Sequence, residues 1–421
     1  MSYRELVRAV PLPFLLLGLI ARLPYAITPL ATLTLLHAAT GSYTFAGTAT
    51  AVQSLASAAG GIGVGALADH FGPRWVGVTA AAAHAGCAGA LVAATGADRP
   101  AMAAAALAVG LTQPAVGPLA RIHWARRLRA GGRAGLLPTA LSYETAADEL
   151  GFVAGPALAG LLTASFGPVA PLSAVVLLTA GAAAPFALFY ARTAPSRRPA
   201  AAARPRRGPL VAMALAAAAL GAVFGSVQTG VTSHAAEHAD PGSAGLLYAL
   251  LAVGSSVAGV AYAWVPSRVR DTHRYLGAAT GLLLGTAGLA AGHASLPVAI
   301  TVAGFSIAPY MISAYALTER LSGGRGTATA LMAVNAGGPI GTAAAQAVAG
   351  RAADAGGSAA AFLVAPAAAG VALLVAVGVL VKECAEPRTG SAVRTRSRTS
   401  PSARGRRAAP APPAPSRPTG S

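Results

Sequence analysis

"GALADHFGPRW", Gly65 to Trp75, is the stretch that decides how this chain folds. Runs of Ala, Val, Leu and Gly flank it, yet within seven residues it carries Asp69, His70 and Arg74, with Gly72 and Pro73 between them. Gly and Pro side by side mark a turn. A polar turn between two long apolar runs is what a chain needs when it leaves a membrane and re-enters it. The question is whether the rest of the sequence repeats that pattern.

It does. Of 421 residues, 55% are hydrophobic and 10% charged, with a mean hydropathy of +0.59. Water-soluble domains carry about 25% charged residues, so the chain has too little polar surface to face water all round. A helix needs about 20 apolar residues to cross some 30 Å of hydrocarbon. Runs of that kind are expected at 11–37, 43–68, 75–96, 100–124, 138–164 and 168–191, then at 209–233, 244–265, 275–293, 296–319, 326–350 and 358–381. The expected fold is therefore all-α, with twelve transmembrane helices in two six-helix bundles. The first run is too long for a signal peptide and is expected to stay as a span.

Arginine sets the expected orientation. With the N-terminus in the cytoplasm, the inside turns carry Arg4, Arg8, Arg74, Arg126, Arg127, Arg129, Arg133, Arg268, Arg270, Arg274, Arg320 and Arg325, whereas the outer turns hold only Arg99 and Arg351. This asymmetry requires an even number of spans, so both termini are expected inside, in a multi-pass protein of the cytoplasmic (inner) membrane. The formal charge of +18 and pI near 11.3 come largely from two segments. Residues 192–208 hold six arginines and no acid; residues 383–421 hold eight against Glu383 and Glu386. Neither has an aromatic residue on which a base could stack, so no nucleic-acid partner is expected. The organisation expected is a first bundle at 1–191, a basic linker at 192–208, a second bundle at 209–382 and a disordered, Pro-rich tail at 383–421.

Several chemistries are not expected. Lys382 is the only lysine, so no nucleotide-binding P-loop exists. Cys87 lies in an apolar run and Cys384 in the tail, a poor disulfide pair. His37, His84, His234 and His293 are scattered, and His234 with His238 sits in a short outer loop. No metal site and no cofactor are expected from these spacings.

The halves echo one another. Gly65 and Arg74 stand as far apart as Gly259 and Arg268, and Gly155–Pro156 has a counterpart in Gly338–Pro339. Together with twelve spans and a basic central loop, the opening turn resembles the signature Gly-x-x-x-Asp-Arg-x-Gly-Arg-Arg/Lys of the major facilitator superfamily. Gly65, Asp69, Gly72 and Arg74 match it; His70 and Pro73 depart from it. The resemblance covers residues 10–382 and implies a secondary transporter rather than an enzyme. It also implies that Asp69 latches the cytoplasmic face against the start of span 11, near Gly326, when the outer face is open. "DELGFVAGPALAG", Asp148 to Gly160, resembles the Gly-x-x-x-Gly-Pro pattern that exporting members carry in span 5. Its small residues, Gly151, Gly155 and Gly160 with Pro156, are expected to allow close contact with a helix of the other half.

Ionisable groups at membrane depth are costly and face the bundle interior. Arg22 lies about 16 Å into span 1, Glu144 about 9 Å into span 5, and Asp148 and Glu149 about 15 Å, at 1.5 Å per residue. Depth pairs Arg22 best with Asp148 or Glu149. Two readings stay open: a structural ion pair holding the first half together, or acids that exchange protons during transport. Unlike the family's drug/proton antiporters, this chain has Arg22 rather than an acid in span 1, and Gly110 where span 4 would carry arginine. Arg22 with Tyr25, near Pro24 and Pro29, is also a candidate site for an anionic substrate. Gln53, Gln113, Gln228, Tyr310, Tyr315 and Asn335 complete the expected mid-membrane set, each with a helix–helix hydrogen bond as the alternative. The expected function is proton-coupled export of a small organic molecule by a monomer in the bilayer. Uptake, uniport, a membrane-embedded transferase and a non-transporting scaffold are the alternatives.

Overall fold

A computed structural model describes residues 10–114, 116–190, 207–266, 268–292, 295–322 and 327–385. Most of the expected linker and of the expected tail, and the start of span 11 at Gly326, lie outside the described residues, as do the side chains of Asp69 and Asn335. The helices are α1 (Leu12–Ile20), α2 (Leu23–Thr40), α3 (Tyr43–Phe71), α4 (Pro73–Ala93), α5 (Arg99–Leu111), α6 (Val116–Ala130), α7 (Leu137–Phe166), α8 (Ala170–Leu178) and α9 (Ala184–Tyr190). They continue as α10 (Arg207–Glu237), α11 (Ser243–Ala261), α12 (Asp271–Ala291), α13 (Leu296–Gly304), α14 (Ile307–Ser322), α15 (Thr327–Phe362) and α16 (Val364–Ala385). Among the described residues there is no strand.

Local chemistry explains where these rods begin and end. Leu and Ala favour helix, and long apolar runs leave the backbone no partner but itself in lipid. Ser42 caps α3 by accepting the Phe45 N–H at 3.2 Å, and Asp98 caps α5 by accepting that of Ala101 at 3.0 Å. Gly72 closes α3 with φ of 90°, a conformation that β-carbons resist, and Pro73 then opens α4 where no N–H is needed. The departure of Pro73 from the family signature is thus a helix start. Gly356 and Gly357 break α15 with non-helical backbone angles, so its first part and its last turn are separate rods.

Nine helical stretches among the described residues are long and apolar enough to cross a membrane. The sequence reading expects twelve. Residues 99–130 divide into the 13-residue α5 and the arginine-rich α6, and α12 and α15 carry more polar residues. The helix expected to end at residue 124 runs on to Ala130, so Arg126, Arg127 and Arg129 lie in helix rather than loop.

Two large cores form, and they do not mix. One, with its neighbour, draws on residues between Val10 and Tyr190; the other runs from Met213 to Ala376. Among the described residues, a small apolar cluster of Tyr43, Ala349, Ala353, Ala361 and Val364 joins the two sets. It sits at the end of the bundle whose turns are poor in arginine.

Candidate functional site

Span 1 is broken, and the break builds the site. Pro24 has no N–H to give the carbonyl of Ile20, and the chain leaves helix at Ala21 and Arg22 before resuming as α2. Here the Arg22 N–H turns to Leu19 (3.3 Å) instead of Gly18. The Gly18 carbonyl so released accepts Nη1 of Arg22 at 2.7 Å. Gly18 also lets Phe186 pack here, since a β-carbon at Gly18 would lie 3.1 Å from that ring.

The remaining donors of Arg22 point at α7. Nε donates to Asp148 at 2.7 Å, and Nη2 pairs with Glu144. Glu144 and Asp148, one turn apart, share a helix face. The second oxygen of Glu144 accepts Trp124 Nε1 at 2.6 Å; the second oxygen of Asp148 accepts Arg121 Nη2 at 2.5 Å. Trp124 is fully buried and set edge-on to Phe14, with ring centroids 5.2 Å apart. Two arginines and two carboxylates therefore form a neutral cluster in which every carboxylate oxygen has a donor. Such compensation is what makes buried charge tolerable. Its members differ in exposure: Glu144 is 1% exposed, Asp148 29% and Arg121 41%.

The depth argument pairs Arg22 with Asp148 or Glu149. The observed arginine spans two levels and takes Glu144 as well as Asp148, because its side chain reaches along α7. Glu149, on the adjacent face, has no arginine in this cluster and lies within hydrogen-bonding reach of Ser256 in α11. Arg121 and Trp124 are the members that sequence reasoning missed. Both sit at the cytoplasmic end of the run expected at 100–124, next to the arginine-rich turn that follows, and neither is singled out there.

Position 110 shows why the usual span-4 arginine is absent. A β-carbon on Gly110 would come 2.7 Å from that of Ala56 and would also meet the Gln53 carbonyl. Arg121, farther along, occupies the role of a second basic residue facing α7.

The other expected polar residues divide. Gln228 accepts Gln346 Nε2 at 2.8 Å, and Ser54 donates to the Gln346 carbonyl oxygen at 3.2 Å, a chain linking α10, α15 and α3. Gln113 accepts the Ser57 hydroxyl at 2.7 Å. Tyr310 is fully buried, bonded to Tyr275 (2.9 Å) and donating to the Ala216 carbonyl (3.0 Å). These side chains serve helix packing. Gln53 is buried too. Tyr25 is half-exposed and edge-on to Phe152, and Tyr315 is half-buried against the second core.

At the arginine-poor end the halves touch closely. Asp354, beyond the apolar run of α15, accepts the N–H groups of Tyr43 and Thr44 at 2.8 Å each and the Ser42 hydroxyl at 3.0 Å. The Tyr43 hydroxyl donates to the Thr232 carbonyl at 2.9 Å. Gly47 packs on the backbone of Gln346 and Gly350, so no β-carbon fits there. Gly160 meets Gly242 and Gly245 of α11 in the same way, whereas Gly155 packs on Ala26 of its own half and Gly151 faces Arg22. The expected cross-half contact of this glycine series thus falls on Gly160 among the three.

The arginine-rich end differs. A β-carbon on Gly65 would meet nothing within 4 Å, and Leu67 and Phe71 beside it are exposed. The sequence reading expects a helix against Gly65; among the described residues none approaches it within 4 Å. Arg74 lies over the Trp75 ring, 4.9 Å from its centroid.

A family profile described as "Major Facilitator Superfamily" matches residues 14–333. Among curated protein sequences, none matches the chain. Solved structures with the same fold include the nucleoside transporter NupG (TM-score 0.66, 17% identity, covering 88% of this chain and 98% of that one). The POT family transporter PepTSo aligns with a TM-score of 0.65 at 13% identity, over 88% of this chain and 97% of its own. A bacterial homologue of the iron transporter ferroportin, in an inward-facing state, aligns at 0.61 and 17% identity, over 90% and 99%.

Proposed function

Because the chain belongs to the major facilitator superfamily, we propose that it carries a small organic molecule across the cytoplasmic membrane by alternating access, coupled to protons and in the direction of export. Its multi-pass membrane architecture and transporter fold are the premise; coupling, direction and sidedness are the proposal. With the arginine-rich turns placed in the cytoplasm, the contacts of Asp354, Gly47 and Gly160 would be those that close the outer face. Gly65, Asp69, Gly72 and Arg74 would form the opposite latch once the halves rock over.

The observation that carries the coupling is the unequal treatment of three neighbouring acids. Glu144 is sealed between Arg22 and Trp124, and its role is to hold Arg22. Asp148 is partly exposed and shared between Arg22 and Arg121. A proton arriving at Asp148 would cancel its charge, release Arg121 and leave Arg22 held by Glu144 alone. Glu149 faces α11 across the line between the halves, where its charge would be felt by the interface that must shear. Asp148 and Glu149 are therefore the proton carriers, with Tyr25 and Tyr315 placed for substrate contact. Export rests on the Gly-x-x-x-Gly-Pro pattern of α7. The three structural relatives are transporters by name, which supports transport and leaves the cargo to experiment.

The test uses purified protein in liposomes with a trapped pH dye, challenged by a panel of organic cations, anions and neutral compounds. A compound-driven pH change that is lost in Asp148→Asn/Glu149→Gln supports the reading. Equilibration of labelled compound with no pH change, equal in wild type and variant, would make the protein a uniporter and the acids structural.

A further inference from the structure

We propose that His234, Glu237 and His238, at the end of α10, form a binding site for one divalent transition-metal ion of the zinc class. The spacing alone, two histidines four residues apart, places both rings on one side of the helix. A sequence reading discounts it as a loop. The structure instead continues α10 through Glu237, and His238 follows in the turn that closes it, its N–H still donating to the His234 carbonyl at 3.2 Å.

One ligand atom from each residue lies within 4.8 Å of the other two. The two imidazole rings are 4.1 Å apart. A zinc ion sits about 2.0–2.2 Å from nitrogen or oxygen ligands, so rotation of exposed side chains by a fraction of an ångström to an ångström or so brings all three into range.

What lifts this above a chance cluster is the layer behind the ligands. Metal-binding histidines use the second ring nitrogen as a donor, which fixes the tautomer and aims the first at the metal. His238 Nδ1 is 2.9 Å from the His234 carbonyl, which can only accept. Nδ1 therefore carries the proton, and Nε2 presents its lone pair. Ligating carboxylates are likewise held by donors. Glu237 accepts the Ser358 N–H at 2.5 Å, the Ser358 hydroxyl at 2.6 Å and the Ser233 hydroxyl at 3.2 Å. Ser358 follows the Gly356–Gly357 break in α15, and a β-carbon at Gly357 would come 2.6 Å from Glu237. The break is thus shaped around the carboxylate.

The ligand set, two neutral nitrogens and one carboxylate, suits zinc, cobalt or nickel better than magnesium or calcium, which take oxygen. Three protein ligands leave a position for water. The site lies at the arginine-poor end, away from the Arg22 cluster, and does not depend on the transport reading.

The experiment titrates Zn2+ into full-length protein in detergent, freed of any affinity tag, by calorimetry, with Co2+ absorption reporting the coordination. Binding of one ion per chain is expected, with affinity at least tenfold weaker in His238→Ala and in His234→Ala. Ser358→Ala, which touches the metal only through Glu237, is expected to weaken binding about tenfold. His70→Ala, an exposed histidine elsewhere, should leave it unchanged. His238→Gln serves if the alanine variant does not fold. The proposal is overturned by the absence of saturable binding up to about 1 mM, or by undiminished binding in the His234→Ala/His238→Ala double variant.

Discussion

Removing the Asp354 carboxylate should open the outer face. In the structure this side chain serves as a cap supplied by one half to a helix of the other: two N–H groups at the start of α3 and the Ser42 hydroxyl all point at it. Losing a cap costs about 0.5–2 kcal/mol. Asp354 is exposed, so its attraction to the helix dipole is screened, and the lower part of that range, about 0.5–1.5 kcal/mol, applies. Ser42 still caps α3 within its own half, so Asp354→Ala leaves that helix intact and spends its effect on the contact between halves. With about 1.4 kcal/mol per factor of ten, the closed-to-open ratio falls about two- to tenfold. Asp354→Asn, retaining one accepting oxygen, falls between. Spin labels at Thr48→Cys and Arg351→Cys, exposed residues on either side of the contact, would report the distance distribution after Cys87 and Cys384 are replaced. pH provides a second axis. Burial pushes the Asp354 carboxyl up, but the hydrogen bonds from Thr44, Tyr43 and Ser42 outweigh it and hold the group below its usual value. A group whose pKa is depressed in the closed state stabilises that state above the ordinary carboxylate pKa and loses its effect as pH falls through the depressed value. Closure should hold from neutrality to about pH 5 and weaken below about pH 4. In Asp354→Ala the part of this acid-dependent change that Asp354 contributes should be lost, so the ratio varies less with pH than in wild type. A distance distribution identical in wild type and Asp354→Ala at pH 7 would refute the reasoning.

Other consequences are more local. Arg22→Ala leaves Glu144 sealed beside Trp124 with no cation and should cost about 3–5 kcal/mol, seen as a large drop in thermal stability in detergent; Arg22→Met/Glu144→Gln should recover most of it, because Arg121 still holds Asp148. Gly245→Ala forces a β-carbon to within 2.6 Å of the Gly160 α-carbon, so about 1–3 kcal/mol of overpacking should shift the spin-label distances outward. Gly65→Ala meets open space in this conformation and should leave thermal stability within about 0.5 kcal/mol, while transport slows if the opposite latch forms there. Gln346→Leu removes the partner of both Gln228 and Ser54 and should cost about 1–3 kcal/mol by melting.

The fold was legible because membrane insertion imposes a coarse rule: apolar length and arginine position are one-dimensional properties. Gly72 and Pro73 could be read at sight, since few residues fit a left-handed turn followed by a helix start. The partners of Arg22 were legible in part. Helical rise ranks depths to within a turn and so favours Asp148 or Glu149, but an arginine side chain is longer than that error and also reaches Glu144, one turn away. Arg121 was hidden by its place: at the cytoplasmic end of the span expected at 100–124, close to Arg126, Arg127 and Arg129, an arginine reads as an end anchor, and nothing in the sequence shows that it faces Asp148 of α7. The glutamines show another limit. Gln228 and Gln346 are far apart in the chain, and in helices rich in Ala on every side no periodicity reveals that they face one another. Asp354 carried no motif, because the helix it caps belongs to a different part of the sequence.

The separation of the two apolar cores has a consequence for assembly. Each half already owns the contacts that hold its own helices together. A polypeptide cut between residues 191 and 206 should therefore yield two fragments that insert independently and find each other in the bilayer through Gly47, Gly160, Gln346 and Asp354. The intact chain's contribution to that meeting is chiefly an effective concentration, so the protein behaves as a heterodimer whose subunits happen to be translated as one.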